Sequence, residues 1–272
     1  MKRILKLIYR SLPTSLKLLL RPVIFNVVKL ISTLFGLSLL NSPIGKAAVP
    51  YYAKSLLRKS FAQQGEDLIL DRVLTRVLKK DVFEPHTYVD VGGYDAIDTS
   101  VTYLLYLRGW RGIVFDPSKS SLKSFNKFRK RDYFVNAVVG DEDGVDVEFY
   151  IPKRAVQDKS STNTKYPNTK SLEEFNKVIF RQVNLNEELR RQGIKKIDFL
   201  NIDVEGAELE ILKSLDFELF KPSVIAVEIH GNNLEECLKT DEVRLILQRG
   251  YQFVGSAVIT QFFVRKDEIP LQ

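Results

Sequence analysis

The chain has 272 residues, 44 % of them hydrophobic, and one cysteine, Cys237. That length allows one large domain, or a domain with an appendage; a single cysteine excludes an internal disulfide and fits a reducing compartment. The net charge of +7 is uneven: Met1 to Ser60 holds 11 Lys/Arg and no acid, leaving 30 bases against all 34 acids in the rest, a net of −4. With the basic character confined to one end and no basic–aromatic pattern to read bases, no nucleic-acid partner is expected.

The first 60 residues form a basic amphipathic segment, predicted as short helices divided at Pro13 and Pro22. Lys17, Arg21 and Lys29 interrupt the apolar run, which falls short of the roughly 20 residues a spanning helix needs. No compact apolar core leads to a small-residue cleavage site, so the pattern is not that of a cleaved signal peptide. Three readings stay open for it. Residues 1–40 lie on an anionic membrane surface as a peripheral contact. They pack on the main domain or on a second copy, giving a homodimer. Or they form a targeting peptide. A cytoplasmic protein at the inner face of a membrane is the expected location.

From Phe61 to the end, residues 61–272 read as one α/β domain. The apolar spacing predicts a helix over Gly65–Leu78. TYVDVGG is a strand ending in glycine, Thr99–Leu107 a helix stopped at Gly109, GIVFD a buried strand and Ser118–Lys130 a basic-faced helix. YFVNAVVG reads as one strand, DEDG as a turn, and VDVEFYI as an alternating strand. Ile151–Lys170 is a long polar loop of the kind that usually carries function or is disordered. Leu172–Gln192 is predicted to be largely helical. IDFLNID is a strand, GAELEILKSL a helix, PSVIAVEIHG a strand, and EVRLILQRG a helix closed by Gly250. YQFVGSAVITQFFVRKD reads as two strands joined by a short turn. Strands alternating with helices predict a parallel sheet covered on both faces; the terminal hairpin departs from a nicotinamide-dependent dehydrogenase.

Ligands of open α/β sheets bind outside the carboxyl ends of the strands. The first strand ends in Asp90, Gly92, Gly93, Tyr94 and Asp95. The G-x-G-x-x-G fingerprint is not met, and a pyrophosphate would be repelled by Asp95, whereas a cationic cofactor would not. The second strand ends at Asp116, 24 residues after Gly92, where a carboxylate can accept two hydrogen bonds from a ribose diol. The alternative is a plain tight turn between strand and helix. Later strand ends gather Asp203, Glu205, Glu208, Glu228 and His230, which suit a general base or oxygen ligation of a divalent metal; a metal is left open and is not part of the expected site. For Glu208 a helix N-terminus accounts for the acid equally well. His230 reads as well as a hydrogen-bonded turn residue.

FAQQGEDLIL, YVDVGGYDAIDTSVTYLLYLRGWRGIVFDPS, NAVVGDEDG, KKIDFLNIDVEGAELEIL and PSVIAVEIHG occur in this order between about Phe61 and Gly231. Together they resemble the FkbM family of S-adenosylmethionine-dependent methyltransferases. The D-V-E-G-A-E and Q-x-G-E-D blocks are the specific parts. The resemblance implies a Rossmann-like class I methyltransferase fold, its seven-stranded sheet having an antiparallel last strand. It implies that Asp90, Gly92, Gly93 and Tyr94 form the methionine-side loop, that Asp116 holds the ribose, and that Asn136 and Ala137 lie by the adenine. Asp203 and Glu205 would sit beside the reacting methyl group, with Asp203, Glu205 or His230 as the base. Gln64, Glu66, Ser100 and Thr102 are expected on the acceptor side. The implied activity is O-methylation of a hydroxyl on a sugar, glycolipid or related small molecule. A non-catalytic scaffold of the same fold is the alternative. Two departures stand out: Gly93–Tyr94 replaces the Ala–Asn of many members, and Asn201 replaces a common lysine.

Overall fold

The computed structural model describes residues 60–152, 175–204, 206–231 and 233–270. The N-terminal amphipathic segment, most of the polar loop and Glu205 lie outside the described residues.

A seven-stranded sheet organises the chain. Its strands are β1 (Thr87–Val91), β2 (Arg111–Phe115), β3 (Tyr133–Val135), β7 (Phe199–Ile202), β8 (Val224–Glu228), β9 (Tyr251–Ala257) and β10 (Thr260–Arg265). The order is β3-β2-β1-β7-β8-β10-β9. Neighbours from β3 to β8 are parallel, and β10 is antiparallel to both β8 and β9. This is the seven-stranded arrangement with an antiparallel last strand that the resemblance implies. A three-stranded sheet, β4-β6-β5, is formed by β4 (Val138–Gly140), β5 (Asp146–Pro152) and β6 (Phe175–Asn184).

Alternation along the strands builds two cores. Val89, Val91, Leu200, Ile202, Ile225 and Val227 face one cluster; Tyr88, Phe199, Val224 and Ala226 face the other. Helices cover both sides. On the first lie α4 (Leu185–Arg191), α5 (Glu208–Ser214), α6 (Phe217–Phe220), α7 (Leu234–Cys237) and α8 (Asp241–Gln248). On the second lie α1 (Glu66–Arg72), α2 (Tyr103–Leu107) and α3 (Lys119–Phe128). Leu70, Leu105 and Phe125, each at most 1 % exposed, anchor these three; burying such side chains contributes about 1.5–3 kcal/mol apiece. Among the described residues no helix is long and apolar enough to cross a membrane.

Four predicted elements change. Of the helix expected over Leu172–Gln192, the described part is a strand over Phe175–Asn184 and a helix only over Leu185–Arg191. Its first part pairs antiparallel with β5, Val147 opposite Phe180 and Phe149 opposite Val178. Asn184 starts the helix, its Oδ1 accepting from the N–H groups of Asn186 and Glu187 at 3.0 and 3.3 Å. YFVNAVVG is two strands, since β3 joins the large sheet and β4 the small one, with Asn136–Ala137 between. The first helix becomes a π-turn over Val73–Val77, and the Thr99–Leu107 helix begins only at Tyr103.

An ionic cluster closes the sheet's amino-terminal rim. Lys80 Nζ lies 3.2 Å from Asp198 and 3.0 Å from Glu268, and His86 Nδ1 lies 3.4 Å from Asp198. The Thr87 N–H donates to Asp198 at 3.1 Å.

Candidate functional site

At the opposite rim the end of β1 turns sharply under the end of β7. Gly92 has φ +93°, and a Cβ there would stand 1.7 Å from the carbonyl oxygen of Asp203. A Cβ on Gly93 would meet Val114 Cγ1 at 2.2 Å. Both glycine N–H groups donate to the Phe115 carbonyl, at 2.9 and 3.1 Å, and the Asp203 N–H donates to Val91 at 2.9 Å. Glycine is therefore required twice, for conformation and for backbone approach. Tyr94 follows in the left-handed region at φ 42° and is half exposed, a conformation that costs an L-residue about 1–2 kcal/mol.

Its N–H donates to Asp116 Oδ2 at 3.0 Å, and the Ser118 N–H donates to Asp116 Oδ1 at 2.8 Å. One carboxylate thus fastens the loops after β1 and β2 together. Burial pushes its pKa up to about 6 against the pull of these donors. Asn136 locks the same corner, its Nδ2 donating to the carbonyls of Asp116 and Ser118 at 2.9 and 3.2 Å. Ala137 beside it is core. Asp95 is occupied locally: Oδ1 accepts from the N–H groups of Ile97 and Asp98, and Oδ2 from Ser124. It shapes the turn, and the loop's anionic character falls to Asp90 and Asp116.

Asp90 is 2 % exposed and accepts from Thr102 Oγ1 at 2.6 Å and from Asn201 Nδ2 at 2.9 Å. Thr102 and Ser100, expected to face the acceptor, are buried at 0 and 2 % exposure, and both hydroxyls accept from the Arg129 guanidinium. Both are enclosed behind the end of β1, where Thr102 bonds Asp90, and their burial leaves neither hydroxyl on the surface, where the acceptor-side reading expects them. Nothing in the sequence singled out Arg129, which stood as one more base on a basic-faced helix.

Of the other two residues expected to face an acceptor, Gln64 Oε1 accepts from the Ile259 N–H at 3.4 Å in the β9–β10 turn, and the Gln64 N–H donates to buried Glu66 at 2.7 Å. Thr260, next along that turn, pairs across the ladder with Glu228. The parallel register that sets Ile202 beside Val227 carries Asp203 and Glu228 to neighbouring strand ends. Glu228 is 7 % exposed and lies 3.3 Å from Nε2 of His230, whose side chain is 64 % exposed. An imidazole held by a buried carboxylate and open to solvent can take a proton from a hydroxyl. Glu208 instead closes its own helix start, accepting from the N–H groups of Val204 and Gly206 at 2.9–3.2 Å. It is buried rather than solvated.

The glycine turn at the end of β1, fastened by the ionisable Asp116 and carrying buried Asp90 just before it, has the anionic chemistry that suits a cationic nucleoside such as S-adenosylmethionine. Among the described residues no three His, Cys, Asp or Glu side chains converge as metal ligands.

Comparison with known proteins bears on the same residues. A family profile described as the methyltransferase FkbM domain matches residues 90–253, more than half of the chain. No protein of curated function matches in sequence. Among solved structures the chain is similar to the METTL16 MTase domain, at 12 % identity over 82 % of this chain and 79 % of that one, with a TM-score of 0.42. It is also similar to precorrin-6y C5,15-methyltransferase from Geobacter metallireducens GS-15, at 13 % identity over 78 % and 89 %, TM-score 0.37. Aeropyrum pernix fibrillarin, solved with natively bound S-adenosyl-L-methionine, gives 10 % identity over 72 % of each chain, TM-score 0.37. These structural likenesses are distant, and the assignment rests on the profile match together with the strand order and the glycine loop. The chain belongs to the FkbM family of S-adenosylmethionine-dependent methyltransferases.

Proposed function

We propose that the protein transfers the methyl group to a hydroxyl of a sugar, a glycolipid or a related small molecule. The observation that carries the reading is the pairing of exposed His230 with buried Glu228 at 3.3 Å, at a strand end next to Asp203. A hydroxyl is a weak nucleophile unless its proton is removed as it attacks, and a positioned imidazole can supply that base. Bound on the glycine loop, the cofactor supplies an electrophilic methyl group on a sulfonium. The chain's own residues do the rest. The loop and Asp116 fix the nucleoside, Asp203 borders the reacting position, and His230 takes the acceptor proton while Glu228 holds the imidazole. Alignment of the two reactants supplies much of the rate.

Residues 1–40 are part of this proposal as a peripheral membrane contact, at the cytoplasmic face, that brings the site to a lipid-linked glycan. Their excess of Lys/Arg without an acid supports it. The test is transfer of isotope-labelled methyl from S-adenosylmethionine to a panel of cell-envelope glycans and glycolipids. Asp203→Asn and His230→Ala run alongside, with and without magnesium. Turnover should fall at least about 100-fold in each variant, the usual size of a lost acid–base group, with cofactor affinity nearly kept. Undiminished turnover in Asp203→Asn would sink its assignment. Binding of cofactor with no acceptor methylated would favour the scaffold.

A further inference from the structure

Arg129 closes α3 and is 1 % exposed. Its guanidinium carbon lies 5.4, 5.4 and 4.8 Å from the ring centres of Tyr88, Tyr106 and Phe125. Nε donates to Asp132 at 2.6 Å and Nη1 to Ser100 Oγ at 3.1 Å. Nη2 donates to the Tyr88 hydroxyl at 2.5 Å and to Thr102 Oγ1 at 3.0 Å. Asp132 is the counter-ion, and it also accepts from the Tyr88 hydroxyl and the Gly112 N–H. A buried charge pair of this kind is secure when its remaining donors and acceptors are satisfied. Asp132 and Tyr88 already satisfy much of the guanidinium, so the bond to Thr102 has a consequence of its own.

A hydroxyl carries one proton and two lone pairs. Arg129 takes a lone pair of Thr102 Oγ1, and the proton is left for Asp90 Oδ2 at 2.6 Å. Asn201 Nδ2 donates to the other oxygen at 2.9 Å. Both side chains bonded to Asp90 are thus neutral donors of fixed direction. The nearest cation on this path, Arg129, stands one hydroxyl away and is paired with Asp132. The buried set of Arg129, Asp132 and Asp90 holds one positive and two negative groups, which leaves Asp90 as the charge that a cationic ligand can answer. Asp90 stands two residues before Gly92, at the mouth of the glycine loop.

We propose that Thr102, its hydroxyl oriented by Arg129, is a positioning residue that fixes the Asp90 carboxylate as an anionic floor beneath the ammonium-bearing half of the cofactor. This rests on the cofactor assignment above. The test is calorimetric titration of the full chain with S-adenosylmethionine, S-adenosylhomocysteine and 5′-methylthioadenosine. The first two carry the amino-acid ammonium; the third keeps the nucleoside and sulfur and lacks it. Thr102→Val keeps the side-chain shape and removes both hydrogen bonds. It should weaken the first two ligands about tenfold or more, the size expected for a lost hydrogen bond to a charged group. Methylthioadenosine should change less than about twofold, and Thr102→Ser should restore wild-type affinities. Equal weakening of all three ligands, or none, overturns the proposal. If Thr102→Val melts below the assay temperature, Arg129→Lys applies the same test, because the three donors of a single nitrogen cannot span the four bonds that Nε, Nη1 and Nη2 make to Asp132, Ser100, Tyr88 and Thr102. It should show the same ligand selectivity, and uniform losses would overturn the idea. A wild-type chain that binds none of the three ligands refutes the cofactor assignment instead, a result distinct from a wild type that binds and a variant that matches it.

Discussion

Replacing Gly92 by alanine should damage stability and cofactor binding together, and the size follows from the site. The added Cβ would lie 1.7 Å from the Asp203 carbonyl oxygen and 2.7 Å from its carbonyl carbon. Carbon–oxygen contacts sit near about 3.3 Å, so the two segments must part by roughly 1.6 Å. Neither is free to move. Gly92 N–H is bonded to Phe115 and Asp203 N–H to Val91, both at 2.9 Å. Losing one or both costs about 0.5–1.5 kcal/mol each, and the left-handed conformation adds about 1–2 kcal/mol for a residue with a Cβ. The total is about 1.5–5 kcal/mol, which lowers the melting temperature of a chain this size by roughly 3–20 °C. Gly193→Ala is the matched control: φ is +68°, but nothing lies within 4 Å of the added Cβ. It should lose only the conformational 1–2 kcal/mol, roughly, and leave binding intact. Thermal melts and calorimetry with S-adenosylmethionine read both quantities. A Gly92→Ala protein that matches Gly193→Ala in melting temperature and cofactor affinity would refute the reasoning.

Asp116 predicts a pH dependence of binding. Its pKa is raised to about 6 by burial, and only the ionised form accepts both hydrogens of a diol. Affinity for S-adenosylmethionine should be level above pH 7 and fall by up to about tenfold per unit below pH 6; a flat profile from pH 5 to 8 would refute the ribose role. At the other rim, burial acts to raise the Asp198 pKa, but His86, the Thr87 N–H and Lys80 outweigh it and hold the carboxylate well below its usual range. Its bond to Asp198 raises the His86 pKa. Asp198 then contributes stability that is present above about pH 4 and lost only in stronger acid, while His86 contributes stability that is full below about pH 6.5 and fades as pH rises through its raised pKa. Asp198→Asn should therefore cost most, about 3 kcal/mol, between about pH 4 and 6.5. The gap to wild type in urea unfolding should narrow in alkali, and a gap that stays constant to pH 9 would contradict the pairing.

Much of the fold was legible in the chain because its signals are local. Short, nearly continuous apolar runs ending in Asp90–Gly92, Asp116 and Asp203 announce buried strands, and their ends define the rim where ligands of such sheets bind. The glycines that no other residue can replace stand in plain sight. Other features had no local signal. Phe175–Asn184 carries apolar residues on both faces, so its spacing suits a helix, and only pairing with the distant Asp146–Pro152 makes it a strand. The break at Asn136 depends on two sheets competing for adjacent residues. Ser100 and Thr102 read as exposed polar contacts, and Arg129 as a solvated base on a helix face. Tertiary packing buried all three in one hydrogen-bonded set. A sequence records which residues can carry charge or accept a turn. Whether a base faces water or is enclosed by Tyr88, Tyr106 and Phe125 depends on side chains brought from β1, α2 and α3, and the fold alone makes them neighbours.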